Sequence, residues 1–178
     1  RHSFPTRRSS DLSAMRAVRL SRIALVVTVA CFFTLVAFGN ITDYGSNWQL
    51  VSHVMSMDTT FQDPDLMWRA ITDSRLQHAA YGGIITWQVL TALVLWVGVI
   101  RLVRAAAGGH REFAESRGVA IIGLTMGLLL YAMGFLVVAG EWFAMWQSHT
   151  WNGQTTAGIF VLLISVALLH LCVETEDG

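Results

Sequence analysis

The run Gly118-Val119-Ala120-Ile121-Ile122-Gly123-Leu124-Thr125-Met126-Gly127-Leu128-Leu129-Leu130-Tyr131-Ala132-Met133-Gly134-Phe135-Leu136-Val137-Val138-Ala139-Gly140 lies between Arg117 and Glu141 and holds no charged side chain. A helix needs about 20 mostly apolar residues to cross the hydrocarbon of a bilayer. A helix on the surface of a soluble protein keeps a polar face, and this run has none. Three further runs share its character. Arg22 and Asp43 enclose Ile23 to Thr42, Arg75 and Arg101 enclose a stretch broken only by His78, and the last runs from about Thr155 to Val173, before Glu174. The spans are read at about residues 22–40, 76–102, 118–140 and 154–173. The fold expected is an all-α membrane protein, a four-transmembrane-helix bundle with short interfacial helices in its first outer connection.

Composition agrees. The chain has 178 residues, 54% hydrophobic and 13% charged, where soluble domains carry about 25% charged residues. Its basic residues are all arginine and its formal net charge is zero, so nothing points to a nucleic-acid partner. Cys31 and Cys172 cannot form a secreted disulfide framework and are read as buried spectator thiols. Residues 1–12, Arg1 to Leu12, look like a translated sequencing-adapter scar without structure, which places the natural start at Met15 and leaves residues 13–178 as one four-span domain. Gly39-Asn40-Ile41 makes a poor small-x-small cleavage site, so the first span is read as retained rather than as a signal peptide.

Arginine placement orients the chain. Arg16, Arg19 and Arg22 precede the first span, and Arg101, Arg104, Arg111 and Arg117 lie between the second and third. The first-to-second connection has only Arg69 and Arg75 among its aspartates, and the third-to-fourth has no basic residue. The positive-inside rule puts both termini in the cytoplasm of a bacterial inner membrane. The other two connections then face outward, and they hold five of the seven tryptophans. In the first, Trp48, Val51 and Met55 recur at helical spacing behind Ser46 or Asn47 as a cap, and Asp63-Pro64 suits the start of a second short helix. Such pieces suit the membrane surface.

These outer segments resemble one bacterial family. Asn40-Ile41-Thr42-Asp43-Tyr44, His53-Val54-Met55-Ser56-Met57-Asp58-Thr59-Thr60-Phe61, Trp68-Arg69-Ala70-Ile71 and Gly140-Glu141-Trp142-Phe143-Ala144-Met145-Trp146-Gln147-Ser148, with Trp151-Asn152-Gly153, are similar to the predicted small integral membrane proteins of domain of unknown function 2165. The likeness covers about Arg16 to Leu171. It implies four spans and a cytoplasmic-membrane location, and no activity, substrate or cofactor. The family pattern has an acidic residue where Gln88 stands and glycine where Ala139 stands, so this chain offers no intramembrane carboxylate at that place.

The outer segments also hold the candidate chemistry. His53, His78, Glu141 and His149 are of types that ligate metals, but no HxxxH, HxxEH or cysteine-pair spacing fixes a geometry. The plainer reading makes Asp43 and Asp58 turn caps and the histidines hydrogen-bonding groups. A haem needs two imidazoles at one depth; His78 lies near the outer end of its span and His170 near the inner end of another. Glu141 is expected to pair with Arg69 and so tie the two helical hairpins together. Trp142 and Trp146, one helical turn apart, and Trp151 read as an aromatic belt, with Trp68 beside them in the cap. Gly123, Gly127 and Gly134 form a small-residue face for intramolecular packing in preference to a homodimer. The spans have no buried charge or broken pair that would mark a transporter. The role expected is that of a non-catalytic accessory, assembly or sensing subunit. It would have the bilayer and an unidentified membrane protein as partners and no cofactor. The alternative is a redox-type component that binds a metal, haem or quinone at the outer face.

Overall fold

The computed structural model describes residues 6–173, with side chains from residue 13. Helix α1 covers Thr6–Thr42, α2 Tyr44–Ser56, α3 Ser74–Ala105, α4 His110–Ser116, α5 Gly118–Leu129 and α6 Gln154–Cys172. Four stretches are long and apolar enough to cross a membrane: Ser13–Thr42, Ser74–Ala105, His110–Trp142 and Gln154–Cys172. The first three contain the whole span expected there, and the fourth lacks only its last residue, Val173. Of the segment expected to lack structure, residues 1–5 lie outside the described residues; from Thr6 the backbone is helical and continues into α1.

The bundle is filled by Val26, Val29, Ala30 and Phe33 of α1, Leu95, Val99 and Leu102 of α3, Ala120 and Leu124 of α5, and Ile164, Ala167 and Leu171 of α6. Outside it, Leu35, Phe38, Leu93, Ile122, Leu162 and Leu169 are exposed. An apolar belt of that extent suits lipid and not water. Cys31 and Cys172 belong to this outer surface; both are exposed, which corrects their reading as buried thiols. Threonines within the spans do not break the pattern, because Thr28, Thr34, Thr86, Thr91 and Thr125 each donate a hydroxyl to the carbonyl four residues back.

Two close approaches set the helix spacing. A Cβ on Gly98 would lie 2.7 Å from the Ala120 Cα, so α3 and α5 touch backbone to backbone there. Gly123 and Gly127 are buried against Leu95 and Phe33 of the same chain. Gly134 departs from that face and has only the Leu130 side chain near it, at 4.0 Å. The reason lies in the backbone. From Leu130 to Trp142 the helix widens to the π form, which ends with the Phe143 amide donating to the Val138 carbonyl five residues back. The α-helical period that aligns Gly134 with Gly127 no longer holds. A π segment this long is unusual, since most are single turns.

One end of the bundle is closed by arginines acting on helix C-termini. Arg19 donates to the carbonyls of Ala106 and Gly108 beyond α3. Arg22 donates to those of His170 and Val173, and Arg117 to that of Leu171, at the end of α6. These carbonyls have no partner within the helix, and the negative end of the helix dipole favours a cation beside them. His170 lies at this end, 2.8 Å from the Ser21 hydroxyl.

The opposite end carries a cap. Helix α2 begins one residue after Asp43, earlier than the cap expected at Ser46 or Asn47; Ser46 instead donates to the Asp43 carboxylate at 2.7 Å. It stops at Met57, which takes a left-handed conformation at φ 55°. The helix expected from Asp63-Pro64 is only a turn closed by Asp63, followed by a single 3-10 turn at Met67–Arg69. It goes no further because the chain extends at Ala70, and the Ile71 amide then bonds to the Met55 carbonyl at 2.7 Å. Val54, Met57, Phe143, Ala144 and Met145 form a second small core beneath the cap.

Candidate functional site

The candidate metal ligands His53, His78, Glu141 and His149 make separate contacts. His53 pairs with Asp58, Nδ1 to Oδ2 at 2.6 Å, and stacks on Trp151 at 4.6 Å. His78 lies 2.8 Å from the Tyr44 hydroxyl and 3.7 Å from the Trp48 ring, nearly parallel to it. His149 and Glu141 are exposed. Among the described residues no three His, Cys, Asp or Glu side chains converge.

The ion pair expected between Arg69 and Glu141 is absent. Both border one open hollow of about 540 Å³ with Trp142 and Phe143. The Arg69 guanidinium lies instead over the rings of Trp68 and Trp142, at 5.6 and 5.1 Å, and its Nε is buried without a hydrogen-bond partner. Trp68 and Trp142 meet edge to face at 5.5 Å. A guanidinium is weakly hydrated and stacks well on indole faces, so the two rings hold it in place of a carboxylate.

The first and third connections are joined elsewhere. The Thr59 and Ser148 hydroxyls lie 2.8 Å apart, and the Phe61 amide donates to the Gln147 side-chain oxygen at 3.0 Å. Phe61 also packs edge to face on Trp146. Trp142 and Trp146 do not share a helix turn, because the π segment ends at Trp142 and Ala144 is left-handed at φ 49°. Trp142 and Trp146 are exposed and Trp151 is half-buried.

The concentrated polar chemistry lies below the cap, at residues that sequence reasoning did not select. A cavity of about 380 Å³ opens among α1, α2, α3, the π segment and α6. Asn47, from α2, donates to Asn40 at the end of α1 at 2.6 Å, and Asn40 donates to Gln88 of α3 at 2.7 Å. Asn40 and Gln88 are buried, so this chain of amides is isolated within an otherwise apolar bundle. Tyr81, two turns before Gln88 on the same face of α3, also lines the cavity; it is 1% exposed and its hydroxyl has no hydrogen-bond partner. Nearly every buried polar group in a folded protein finds a partner, so an orphaned hydroxyl on a cavity wall invites an occupant. Tyr131, Thr156 and Phe160 complete the far wall, and no charged residue borders the space. A sequence signal did exist: Tyr81, Ile84 and Gln88 recur at i, i+3 and i+7, and amides inside a span are costly unless used.

A second cavity of about 250 Å³ adjoins the first across Leu50, Val51, Ile84 and Phe135, and only apolar residues and glycine line it, Gly134, Val138 and Met145 among them. The widened helix therefore forms one wall of both spaces.

No curated protein and no solved structure matches the chain. The profile of one family matches residues 18–174, nearly the whole length. Four helices able to span a bilayer, an apolar outer belt and this match agree: the chain belongs to the family described as predicted small integral membrane protein (DUF2165).

Proposed function

We propose that this multi-pass membrane protein is a non-catalytic sensing subunit in which α2 reads the occupancy of the cavity beneath it. One observation carries the proposal: α2 roofs a cavity whose wall holds the orphaned Tyr81 hydroxyl, and it contributes Asn47 to the amide chain that reaches Gln88. An occupant that engages these groups fixes α2, and with it the Trp-rich surface through the His53–Trp151 stack. The arrangement of arginines supports an orientation with both termini in the cytoplasm of a bacterial inner membrane and α2 on the periplasmic side. In that setting the cap is the face that meets a partner protein.

Hydrogen exchange tests the reading. Amides of Tyr44–Ser56 are expected to exchange several-fold more slowly in protein purified with its native lipids than in the same protein after exhaustive exchange into synthetic phosphatidylcholine. Equal exchange in the two preparations would refute a sensing role for α2.

A further inference from the structure

The two adjoining cavities differ in chemistry as the two halves of an amphiphile differ. We propose that together they bind one uncharged amphiphile of the membrane, its carbonyl-bearing head in the larger cavity and its hydrocarbon tail in the smaller. The inference deepens the sensing role of α2 and rests on it.

The head must be a hydrogen-bond acceptor. The amide chain runs in one direction, Asn47 to Asn40 to Gln88, with each side-chain nitrogen donating to the next oxygen. It ends on the Gln88 nitrogen, which donates to no described residue, and Tyr81 supplies a second unused donor on the same helix face. Two donors of this kind call for carbonyl oxygens. The head must also be neutral. Neither cavity is bordered by a charged side chain, and a phosphate or carboxylate enclosed there would keep an unpaired charge away from water. The tail follows from the second cavity, where Val138, Ala139 and Leu130 leave a wholly apolar wall and Gly134 leaves room beside it. The larger cavity, about 380 Å³, falls within the usual scale of about 300–1,000 Å³ for small-molecule sites, and the adjoining space of about 250 Å³ extends it. Isoprenoid quinones and neutral acylglycerols share this chemistry.

Binding is measured by titration calorimetry on the full-length purified protein, with decylubiquinone and dioctanoylglycerol as probes and decanoate as the charged comparison. Saturable binding of either neutral probe is expected, with decanoate at least 10-fold weaker; which probe binds more tightly identifies the source. Tyr81→Phe and Gln88→Leu should each weaken the preferred probe roughly 5–10-fold, the effect of losing one hydrogen bond. Gly134→Leu, which fills the apolar cavity, should weaken decylubiquinone at least 10-fold and leave tail-less duroquinone unchanged. Tyr81→Phe only removes an unpartnered hydroxyl, so it keeps the fold intact and provides the decisive comparison.

The proposal is overturned if neither neutral probe saturates, if decanoate binds as well as they do, or if Tyr81→Phe and Gln88→Leu both leave affinity unchanged. Failure of both probes while α2 exchange still responds to native lipid removes the ligand class and leaves the sensing role standing. Saturable probe binding with α2 exchange unmoved removes the sensing role and leaves the ligand class.

Discussion

At Arg69 the competition is between a carboxylate and two indoles, and the indoles hold the guanidinium. Opposite charges on the first and third connections are legible in the sequence, and the structure does bring Arg69 and Glu141 to the rim of one hollow. What the sequence does not carry is the angle at which Trp68 and Trp142 arrive. The residue-scale prediction follows directly. Glu141→Gln should leave thermal stability in detergent unchanged, whereas a double-mutant cycle of Arg69→Leu with Trp142→Ala should show a coupling of about 0.5–1 kcal/mol, the range for a partly exposed cation–π contact. A loss on Glu141→Gln equal to that on Arg69→Gln would restore the ion pair. Met57, Gln62 and Ala144 are equally opaque to sequence reading. All three adopt positive φ without the glycine that normally announces it, and the turns they make were not foreseeable.

Among elements, the spans were readable because an apolar run bounded by charge is a one-dimensional signal. The packing of Gly123 and Gly127 was readable too, since an α-helical period puts them on one face. Gly134 was not, because its place depends on where the helix widens, and Gly98 had no repeat to mark it. These glycines should respond differently to a methyl group. Gly98→Ala meets the Ala120 backbone at 2.7 Å and should cost about 1–3 kcal/mol, the usual range for overpacking. Gly134→Ala, with nothing nearer than 4.0 Å, should cost nothing; unfolding in mixed detergent micelles measures both. At the arginine end, Arg22→Leu strips a donor from the His170 and Val173 carbonyls. It should cost about 1–3 kcal/mol, as other losses of buried polar partners do, and hydrogen exchange should rise in the last turn of α6. An unchanged last turn would show that the clamp is dispensable.

For the whole molecule, the two ends of the bundle are built differently. Toward the arginine end α3 and α5 are in backbone contact at Gly98, and an open hollow of about 520 Å³ lies beside Arg19, bordered by Ala106 and Gly108. The capped end holds both cavities. The proposed orientation predicts that, in a Cys31→Ala, Cys172→Ala background, His149→Cys reacts with a membrane-impermeant thiol reagent in intact cells. Arg111→Cys should react only after permeabilisation, and the reverse pattern would invert the topology. The gathering of tryptophans and histidines in the first and third connections was legible as a pattern. The site beneath it was not, because its polar groups are amides and a phenol embedded one at a time in apolar runs, and only the tertiary fold gathers them.

The bonds that Arg19, Arg22 and Arg117 make to backbone carbonyls at the arginine end are indifferent to protons. A guanidinium keeps its charge at any pH a cell meets, and a peptide carbonyl has no proton to lose. Arg19 and Arg22 of α1 and Arg117 before α5 thus fasten the ends of α3 and α6 through bonds that need no partner side chain of opposite charge.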